Sequence, residues 1–442
     1  MPFSKSLLRR GTWLAALTAA AGAGIAQAAT IYEATPDNYR RLLGDLRPGD
    51  TLRLAPGRYA DGSPLHDVAG DSDHPITIAG PGEGAPAIFV AELERNTVSI
   101  VDSHDVVVKN LELDGRDLPV DGVKCEGTAR YSHHITLENL LIRRHGNNQQ
   151  TVGISTKCPA WNWVIRGNTI VDAGTGIYLG NSDGTAPFVA GIIERNLVVD
   201  SLGYNLQIKH QNRRPDIEAL QRTSVTTIRR NVFSKASGSS TDQPRPNVLV
   251  GHFPPFGDGV DDRYVVYGNF LLRQSGRCAL PGRRQRRALR QPLCQSLRQR
   301  DPHSVAQRHP EGHRRRVQHR ARRAHRNHGD ARCSVSRLPA IGRRQRGVRR
   351  HAARRRSQKG NFAASFTDAD RYLVRPFAIP GEIDLAPRSP LTSAGADSPN
   401  PAQLPEWDRD FNGRQRMLGS IGAYATAGTN PGWRPPLSLM PD

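Results

Sequence analysis

Residues 163–170 read WVIRGNTI, and residues 191–199 read GIIERNLVV. Each run joins two short stretches of β-forming residues through a polar segment that contains an asparagine. Related runs are VVVKNLEL (106–113), ITLENLLI (135–142), TTIRRNVF (226–233) and YVVYGNFL (264–271). Their asparagines, Asn110, Asn139, Asn168, Asn196, Asn231 and Asn269, follow one another at steps of 29, 29, 28, 35 and 38 residues. A repeat of this length built from strands and turns, with no helical period, predicts a solenoid.

A second set of β-type runs lies between the asparagine-centred ones, and several of these runs open with glycine: GVKCEG, GISTKC, GTGIYLG and YNLQIKH. Two strand runs per repeat fit one turn of a β-coil, whose equivalent side chains stack from turn to turn. We therefore predict an all-β fold, a right-handed parallel β-helix, over residues 29–275. In it we expect the asparagines to form a structural ladder.

The segment TPDNYRRLLGDLRPGDTLRLAPGRY (35–59) precedes the first repeats. Thr35 or Asp37 could cap a short amphipathic helix that carries Tyr39, Leu42, Leu43 and Leu46 on one side. Because the open end of a coil exposes its core and its strand edges, we expect this helix to act as an N-terminal lid.

The charge of the chain is concentrated in one window. The whole chain has a formal net charge of +21, whereas residues 277–356 contain 26 Arg, no Lys and three acidic residues. The window also contains no Phe, Tyr or Trp, so it can bury almost nothing. A nucleic-acid-binding arm, as GRRQRRALRQPLCQSLRQRD (282–301) suggests, would explain the charge but not the interruption of a β-coil.

A compensated frameshift explains the same window better. When the segment is back-translated with GC-rich codons and read one nucleotide later, asparagine-centred β-type runs return at steps of about 22 to 27 residues, which is rung spacing. We therefore interpret residues 276–359 as frameshifted β-helix rungs and residues 360–442 as the end of the β-helix and a tail. A genuine Arg-rich insert and a nucleic-acid arm remain the alternatives.

The first 28 residues have the three parts of a secretory signal peptide. Lys5, Arg9 and Arg10 form the basic region, TWLAALTAAAGAGIA (12–26) is apolar, and AQA (26–28) is a small-residue cleavage site. We expect a secreted or periplasmic protein that does not span a membrane. Cys125 and Cys158 could then form a disulfide, although two half-buried thiols remain an open alternative.

LLGDLRPGDTLRLAPGRY (42–59), PITIAGPG (75–82), the rungs and DFNGRQRMLGSIGAYA (410–425) together resemble secreted parallel β-helix proteins of the pectin-lyase-like superfamily. Within that superfamily, the opening is most similar to the chondroitinase B and alginate lyase branch. The resemblance covers roughly residues 30–275 and 360–425. It implies a polysaccharide-active protein, commonly a lyase of uronic-acid polymers that neutralises the carboxylate with Ca²⁺ or a basic residue.

The residues themselves point to an anionic ligand. Alternation in YNLQIKHQNRRP (204–215) places Asn205, Gln207 and Lys209 outside the coil. Alignment of the rungs on their glycines predicts an outward column of Lys124, Ser155, Tyr178 and Gln207, with a second column of Glu126, Lys157, Gly180 and Lys209 beside it. We expect Lys124, Lys157, Tyr178 and Gln207 to bind an anionic polysaccharide along the coil axis.

β-Elimination from a uronate needs a base for the C5 proton, a cation for the enolate and an acid for the leaving oxygen. Lys209, His210, Arg213, Arg214 and His252 supply these residue types, and we predict them as catalytic, with Lys209 as the base. In VGHFPPFGDGVDDRY (250–264), Asp258, Asp261 and Asp262 could chelate Ca²⁺. GNSDG (180–184) is a weaker candidate of the same kind, and acidic surface turns are the alternative at both places.

The sequence therefore predicts a monomeric polysaccharide lyase that acts on a uronic-acid polymer. A non-catalytic carbohydrate-binding or surface solenoid, a glycoside hydrolase and a C5-epimerase are the alternatives. A hydrolase needs paired carboxylates on neighbouring rungs, whereas the outward columns hold mainly Lys and Gln.

The frameshift interpretation is tested on the gene. We expect resequencing to reveal one single-nucleotide error near codon 277 and a compensating error near codon 358. The protein made from the restored frame should unfold cooperatively at higher temperature, because it regains the missing rungs. An unbroken frame that keeps the Arg codons through both ends would contradict the interpretation.

Overall fold

The computed structural model describes residues 29–235, 245–272, 368–379, 381–392, 404–417, 419–420, 422–435 and 438–441. The predicted signal peptide (1–28) and the window interpreted as frameshifted (276–359) lie outside the described residues. No helix within the described ranges is both long and apolar enough to cross a membrane.

Three parallel sheets wind around a common core, and successive turns of the chain add strands to each of them in order. Sheet A contains β1 (Ile31–Ala34), β2 (Thr51–Leu54), β5 (Ile76–Ala79), β8 (His104–Lys109), β11 (Ser132–Glu138), β14 (Ala160–Trp161), β15 (Val164–Arg166), β18 (Phe188–Val189), β19 (Ile192–Glu194), β22 (Val225–Arg229) and β25 (Arg263–Tyr267). Two of these, β14 and β18, are additional short strands beside the main path of the sheet. Sheet B contains β3 (Gly57–Tyr59), β6 (Ala87–Val90), β9 (Leu111–Asp114), β12 (Leu141–His145), β16 (Thr169–Ala173), β20 (Leu197–Val199), β23 (Val232–Ser234) and β26 (Phe270–Leu272). Sheet C contains β4 (Ser63–His66), β7 (Val98–Val101), β10 (Val123–Glu126), β13 (Val152–Thr156), β17 (Thr175–Leu179), β21 (Leu206–Ile208) and β24 (Val248–Val250).

The order of strands within each sheet follows the order of the turns, so each turn hydrogen-bonds to the turns before and after it. This arrangement is the predicted parallel β-helix. Alternation decides which side chains enter the core: in β10, Val123 and Cys125 are buried while Lys124 and Glu126 remain partly exposed. The core is thus a set of apolar columns that run along the coil axis.

The predicted lid is also present, as helix α1 (Tyr39–Leu43), which buries Tyr39, Leu42 and Leu43. The Tyr39 ring packs edge-on against Tyr59 and Phe89, with centroids 5.1 and 5.7 Å away. Its hydroxyl donates a 2.6 Å hydrogen bond to the Gly62 carbonyl. Covering the first coil with an aromatic cluster protects the apolar end of the core.

The capping prediction for this helix is wrong. Asn38 occupies the N-cap position, and no side-chain hydrogen bond caps the helix. The Asn38 side chain instead accepts a 2.8 Å bond from the Thr35 N–H, while the Asn38 N–H donates to the Thr35 carbonyl. The Thr35 carbonyl also accepts a bond from the Tyr39 N–H. Main-chain groups of this turn therefore replace the predicted side-chain cap by Thr35 or Asp37.

A ladder of four asparagines lines the corner between sheets A and B. Three 2.9 Å bonds run from amide to carbonyl oxygen between the side chains of Asn168, Asn196, Asn231 and Asn269. Each of these amides also donates to a main-chain carbonyl, such as that of Leu137 or Ile165. Because the side chains are almost fully buried, these bonds satisfy the polar groups of a tight corner.

Asn110 and Asn139 do not belong to this ladder, contrary to the prediction. Both lie one position earlier, in left-handed backbone with φ of 57° and 53°. Gly167 occupies the same left-handed position in the next turn, and the buried ladder position is filled by Leu111 and Leu140 in the first two turns. Asparagine tolerates left-handed backbone better than most residues, so a single residue type serves two adjacent positions.

Cys125 and Cys158 come from successive turns and are both buried, with their Sγ atoms 2.9 Å apart. Burial raises the pKa of the Cys125 thiol, so this thiol is a poor nucleophile at neutral pH. The geometry is compatible with either alternative, and the disulfide stays a prediction.

The described part of residues 360–442 adds no strand to the three sheets. Strands β27 (Leu373–Arg375) and β28 (Asp384–Pro387) pair with each other in antiparallel fashion, next to helix α3 (Ala369–Tyr372). Apolar residues of this segment, including Phe411 and Tyr424, form a second core with Phe270. The segment therefore covers the outer face of sheet B in the last turns instead of extending the coil there.

Asn196→Ala should lower the free energy of unfolding by about 2–4 kcal/mol, because it leaves buried partners such as the Asn168 amide and the Ile165 carbonyl unsatisfied. Asn139→Gly is the control, since Gly167 already occupies the equivalent left-handed position. Its effect should stay within about 0.5 kcal/mol. Urea unfolding followed by circular dichroism measures the free energy of unfolding of both variants. If the two variants lose the same free energy, the ladder does not stabilise the coil.

Candidate active site

The outward face of sheet C carries the two predicted polar columns. Strand register pairs Lys124 with Ser155, Ser155 with Tyr178, and Tyr178 with Gln207. Two residues further along the chain, Glu126, Lys157, Gly180 and Lys209 follow in the same order. The N–H groups of Lys157 and Lys209 donate to the Cys125 and Leu179 carbonyls and so continue this register. The predicted alignment of the rungs on their glycines is therefore confirmed. Contrary to the prediction, however, Gln207 is buried, as is Ser155 of the same column, and Asn205 is buried with its amide bonded to the Asn247 side chain. Neighbouring positions in such a column are about 4.8 Å apart, the spacing of strands in a sheet.

Tyr178 is at the centre of this face and is flanked by two lysines. The Lys157 Nζ atom lies 3.6 Å from the centroid of the Tyr178 ring, and the Lys209 Nζ atom lies 5.6 Å from it. Both distances allow cation–π attraction. The Tyr178 hydroxyl lies 3.0 Å from the Ser182 hydroxyl, which holds it at the edge of the face. A phenol and two ammonium groups are thus brought together by three successive turns.

Gly180 makes this gathering possible. Its backbone is left-handed with φ of 91°, and a Cβ atom there would lie 3.0 Å from the Ala186 carbonyl oxygen and 3.1 Å from the Lys209 Cβ atom. Any larger residue would be strained and would push against Lys209. The glycine that sequence alignment used as a marker of the rung therefore also leaves room between Lys157 and Lys209.

Lys124 and two acidic residues complete the electrostatics of the face. The Lys124 Nζ atom is 2.9 Å from a Glu126 carboxylate oxygen. Asp121 is buried just before the column, and its Oδ1 atom accepts a 2.8 Å bond from the Val152 N–H. Burial raises the pKa of Asp121, although this bond and the nearby lysines oppose the shift.

Lys157 is the lysine whose titration this environment changes. Burial lowers its pKa, and the positive charges of Lys124 and Lys209 lower it further. Asp121 and Glu126 act in the opposite direction. A lysine with a lowered pKa can lose its proton more easily and act as a base.

A pair of histidines continues the face beyond Lys209. The ring centroids of His210 and His252 are 5.2 Å apart. Burial lowers the pKa of His210, and His252 and Lys209 add to this effect. His252 is exposed, and its Nδ1 atom lies 2.9 Å from the Phe253 carbonyl oxygen. Both imidazoles are therefore close to the lysine face, as expected from their positions in the sequence.

Arg214 does not belong to this face, contrary to the prediction. Its guanidinium is fully buried in an ion pair with Asp262, and it also donates 2.9 Å bonds to the Gln211 side chain and the Leu220 carbonyl. A buried, fully bonded guanidinium fixes the loop around helix α2 (Glu218–Gln221) and cannot reach a polysaccharide. Arg213, by contrast, is exposed.

The predicted calcium site is not assembled either. Asp262 is buried, where it accepts bonds from Arg214 and from the N–H and hydroxyl of Ser224. Asp258 and Asp261 are exposed, and the three carboxylates do not converge as ligands of one ion. Of the three aspartates in this turn, Asp262 forms a structural ion pair with Arg214, and Asp258 and Asp261 lie at the surface.

The GNSDG loop (180–184) forms one wall of the site. A Cβ atom at Gly184 would lie 2.9 Å from the His210 ring and 2.8 Å from the Asn212 amide nitrogen. Asp183 accepts bonds of 2.7 and 2.8 Å from the hydroxyl and the N–H of Thr185, and these bonds lower its pKa. The loop is therefore held against His210 by its own hydrogen bonds.

Sequence reasoning missed one group on this face, Asp121. The only available signal was its place directly before the glycine of GVKCEG. Alternation predicts that such a residue belongs to a turn, so its burial beside the lysines became apparent only from the packing of the neighbouring turns.

No protein-family model and no curated protein match the sequence. Among solved structures, the alginate lyase from Paenibacillus sp. str. FPU-7 is similar with 14% identity and a TM-score of 0.35, covering 55% of this chain and 95% of that one. The GH136 lacto-N-biosidase from Eubacterium ramulus is similar with 14% identity and a TM-score of 0.35, and the match covers 55% of this chain and 57% of that one. The A-module of the mannuronan C-5 epimerase AlgE4 from Azotobacter vinelandii is similar with 15% identity and a TM-score of 0.26, and the match covers 56% of this chain and 85% of that one.

These identities and TM-scores are too low to assign an activity, so an activity can come only from the chemistry of the site. By the register of its own three sheets, the chain has the parallel β-helix fold of the pectin-lyase-like proteins that its sequence resembles.

Proposed function

We propose that the chain is a polysaccharide lyase that cleaves a uronic-acid polymer by β-elimination on the outward face of sheet C. The observation that carries this proposal is the convergence of Lys157 and Lys209 on the ring of Tyr178. Lysine side chains on one face of the coil suit a polymer that carries a carboxylate on each sugar and lies along the coil.

The roles follow from the environment of each group. Lys157, with its lowered pKa, takes the C5 proton. Lys124 and Lys209 stabilise the negative charge that develops on the carboxylate. The electron pair of the C5–H bond forms the C4–C5 double bond, the C4–O4 bond breaks, and the Tyr178 hydroxyl protonates O4. This assignment moves the base from Lys209, as predicted from sequence, to Lys157.

Calcium stays outside this proposal. The predicted Asp258, Asp261 and Asp262 set does not converge, so neutralisation of the carboxylate is assigned to lysines. An assay with calcium and with chelator should therefore give equal rates.

A glycoside hydrolase is the second candidate, supported by one pair of carboxylates. Asp172 lies in β16 and Asp200 directly follows β20. Because Val171 pairs with Val199, the two carboxylates occupy the same position in successive turns. Partial burial raises the pKa of Asp172, and Asp200 and Asp117 raise it further. Two carboxyl groups one strand spacing apart, one of them with a raised pKa, suit a retaining glycosidase.

Lys157→Ala should reduce the formation of unsaturated uronate product by about 10²- to 10⁴-fold, because it removes the base. New ultraviolet absorbance on alginate, polygalacturonate, glucuronan or chondroitin measures the product, in the present and in the restored reading frame. Lys209→Ala should also reduce the rate, by weakening stabilisation of the enolate. Lys109→Ala is the control, since Lys109 lies on sheet A, and it should retain the activity.

Other products would identify the alternatives. A saturated reducing end that depends on Asp172 would favour the hydrolase, and exchange of the C5 proton with solvent deuterium without cleavage would favour an epimerase. Binding without any reaction would leave a carbohydrate-binding solenoid. If Lys157→Ala cleaves as fast as the unmodified protein, the proposed base is wrong.

The pH dependence provides an independent check on Lys157. Since a base must be deprotonated, kcat/KM should rise with pH through a midpoint below the usual lysine value. Glu126→Gln removes a charge that raises the pKa of Lys157, so the midpoint should move to lower pH. Lys209→Met removes a charge that lowers it, so the midpoint should move to higher pH. Identical profiles for the two variants would exclude Lys157 as the titrating base.

A further inference from the structure

A cluster of imidazole and carboxylate groups lies on sheet A, around the coil from the lysine face. The ligand atoms of His104, Asp105 and His133 all lie within 4.8 Å of one another, and all three side chains are partly exposed. The His104 Nδ1 atom is 2.9 Å from Asp105 Oδ2, and the His133 Nδ1 atom is 2.7 Å from His134 Nδ1. We call these four residues the histidine cluster.

Strand register explains why the cluster forms. His104, His133 and Trp161 occupy one position in three successive turns, so their rings stack with centroids 4.8 and 4.5 Å apart. Trp161 is buried and forms a rigid base under the His133 ring. The two imidazoles are thus held side by side before any ligand arrives, which is what a preorganised site requires.

A break in the strand alternation brings Asp105 and His134 to the same edge. In an extended strand, consecutive side chains point to opposite faces. Asp105 and His134 instead have left-handed backbone, with φ of 53° and 51°, and each contacts the histidine directly before it. Asn162 has the same backbone one turn later, and its amide lies 2.8 Å from His134 Nε2. Four donor groups therefore share one edge, and the last of them is oriented by an amide.

The donors are chemically suited to a borderline metal ion. A neutral imidazole has a ring nitrogen with a free electron pair, and such a nitrogen can bind a metal ion. Two imidazoles and a carboxylate favour Zn²⁺, Co²⁺, Ni²⁺ or Cu²⁺, whereas Ca²⁺ prefers an all-oxygen set.

We propose that His104, His133 and Asp105 bind a divalent transition-metal ion, with His134 as an adjacent donor. The ion takes the place of the contact between His104 Nδ1 and Asp105 Oδ2 and joins two successive turns of the coil. Because its ligands come from both turns, the bound ion stabilises their stacking. The site is independent of the proposed lyase activity.

The test uses the full-length chain after removal of metal with a chelator. Co²⁺ is titrated by visible absorption, Zn²⁺ by competition and calorimetry, and circular dichroism checks the fold of every variant. The unmodified protein should bind one equivalent of metal ion at this site. His104→Ala and His133→Ala should each lower the affinity of this site at least about tenfold, since each removes a ligand. Asp105→Asn, which keeps the size of the side chain, should weaken it as well.

His74→Ala is the matched control. His74 forms an exposed pair with Asp71, with 3.1 Å between Nδ1 and Oδ1, but it has no second histidine in a metal-binding group. This variant should bind as the unmodified protein does. Zn²⁺ should raise the midpoint of thermal unfolding of the unmodified protein and of His74→Ala, but not that of His133→Ala. Ca²⁺ should not compete.

Two results would overturn the proposal. One is the absence of any Co²⁺ or Zn²⁺ uptake by the folded, unmodified chain. The other is equal uptake and affinity in the unmodified protein, His133→Ala and Asp105→Asn. The second result would assign the bound metal to other residues, such as the seven His and three Cys of residues 277–356, for which thiolate absorption bands of Co²⁺ would be the signature.

Discussion

The stacking of equivalent residues in successive turns is the constraint on which this molecule depends. Parallel strands hold each position about 4.8 Å from its counterpart in the next turn. The ladder of Asn168, Asn196, Asn231 and Asn269 fixes this register at the corner between sheets A and B, where main-chain groups would otherwise be buried without partners. A slip of one residue would turn every core side chain outward, so the corner and the core specify the same register.

The same stacking produces the chemistry of the surface, because a column can collect like side chains. On sheet A it stacks His104 and His133 on Trp161, and on sheet C it places Tyr178 between Lys157 and Lys209. Like charges on one face repel one another, and each favours the uncharged form of its neighbour. Burial is the largest cause of the lowered pKa values of Lys157 and His133, and the like charges beside them add to it.

Several charged groups elsewhere on the coil are paired. Arg229 is paired with Glu194, and Arg214 with Asp262, in both cases between strands or loops of neighbouring turns. The C-terminal segment adds the Arg195–Glu406 pair where it covers the outer face of sheet B. On sheet C, Lys124 is paired with Glu126, whereas Lys157 and Lys209 flank Tyr178 and give this face the cationic character that the proposed substrate requires.

The sequence by itself determined the β-helix, the lid and the columns of sheet C. The alternation of apolar residues and the length of the repeat can both be read directly from the sequence. It also brought Lys124, Lys157, Tyr178 and Lys209 to one face, since a glycine marks the same step in each rung. It could not separate Asn139 from Asn168, because left-handed and ladder positions are adjacent and both accept asparagine. Only the tertiary structure decided that Arg214 and Asp262 neutralise each other, that Asp121 is buried beside the lysines and that Asp105 lies close to two histidines. Those outcomes depend on how loops and left-handed kinks of different turns pack together, and such packing leaves no periodic signal in the sequence.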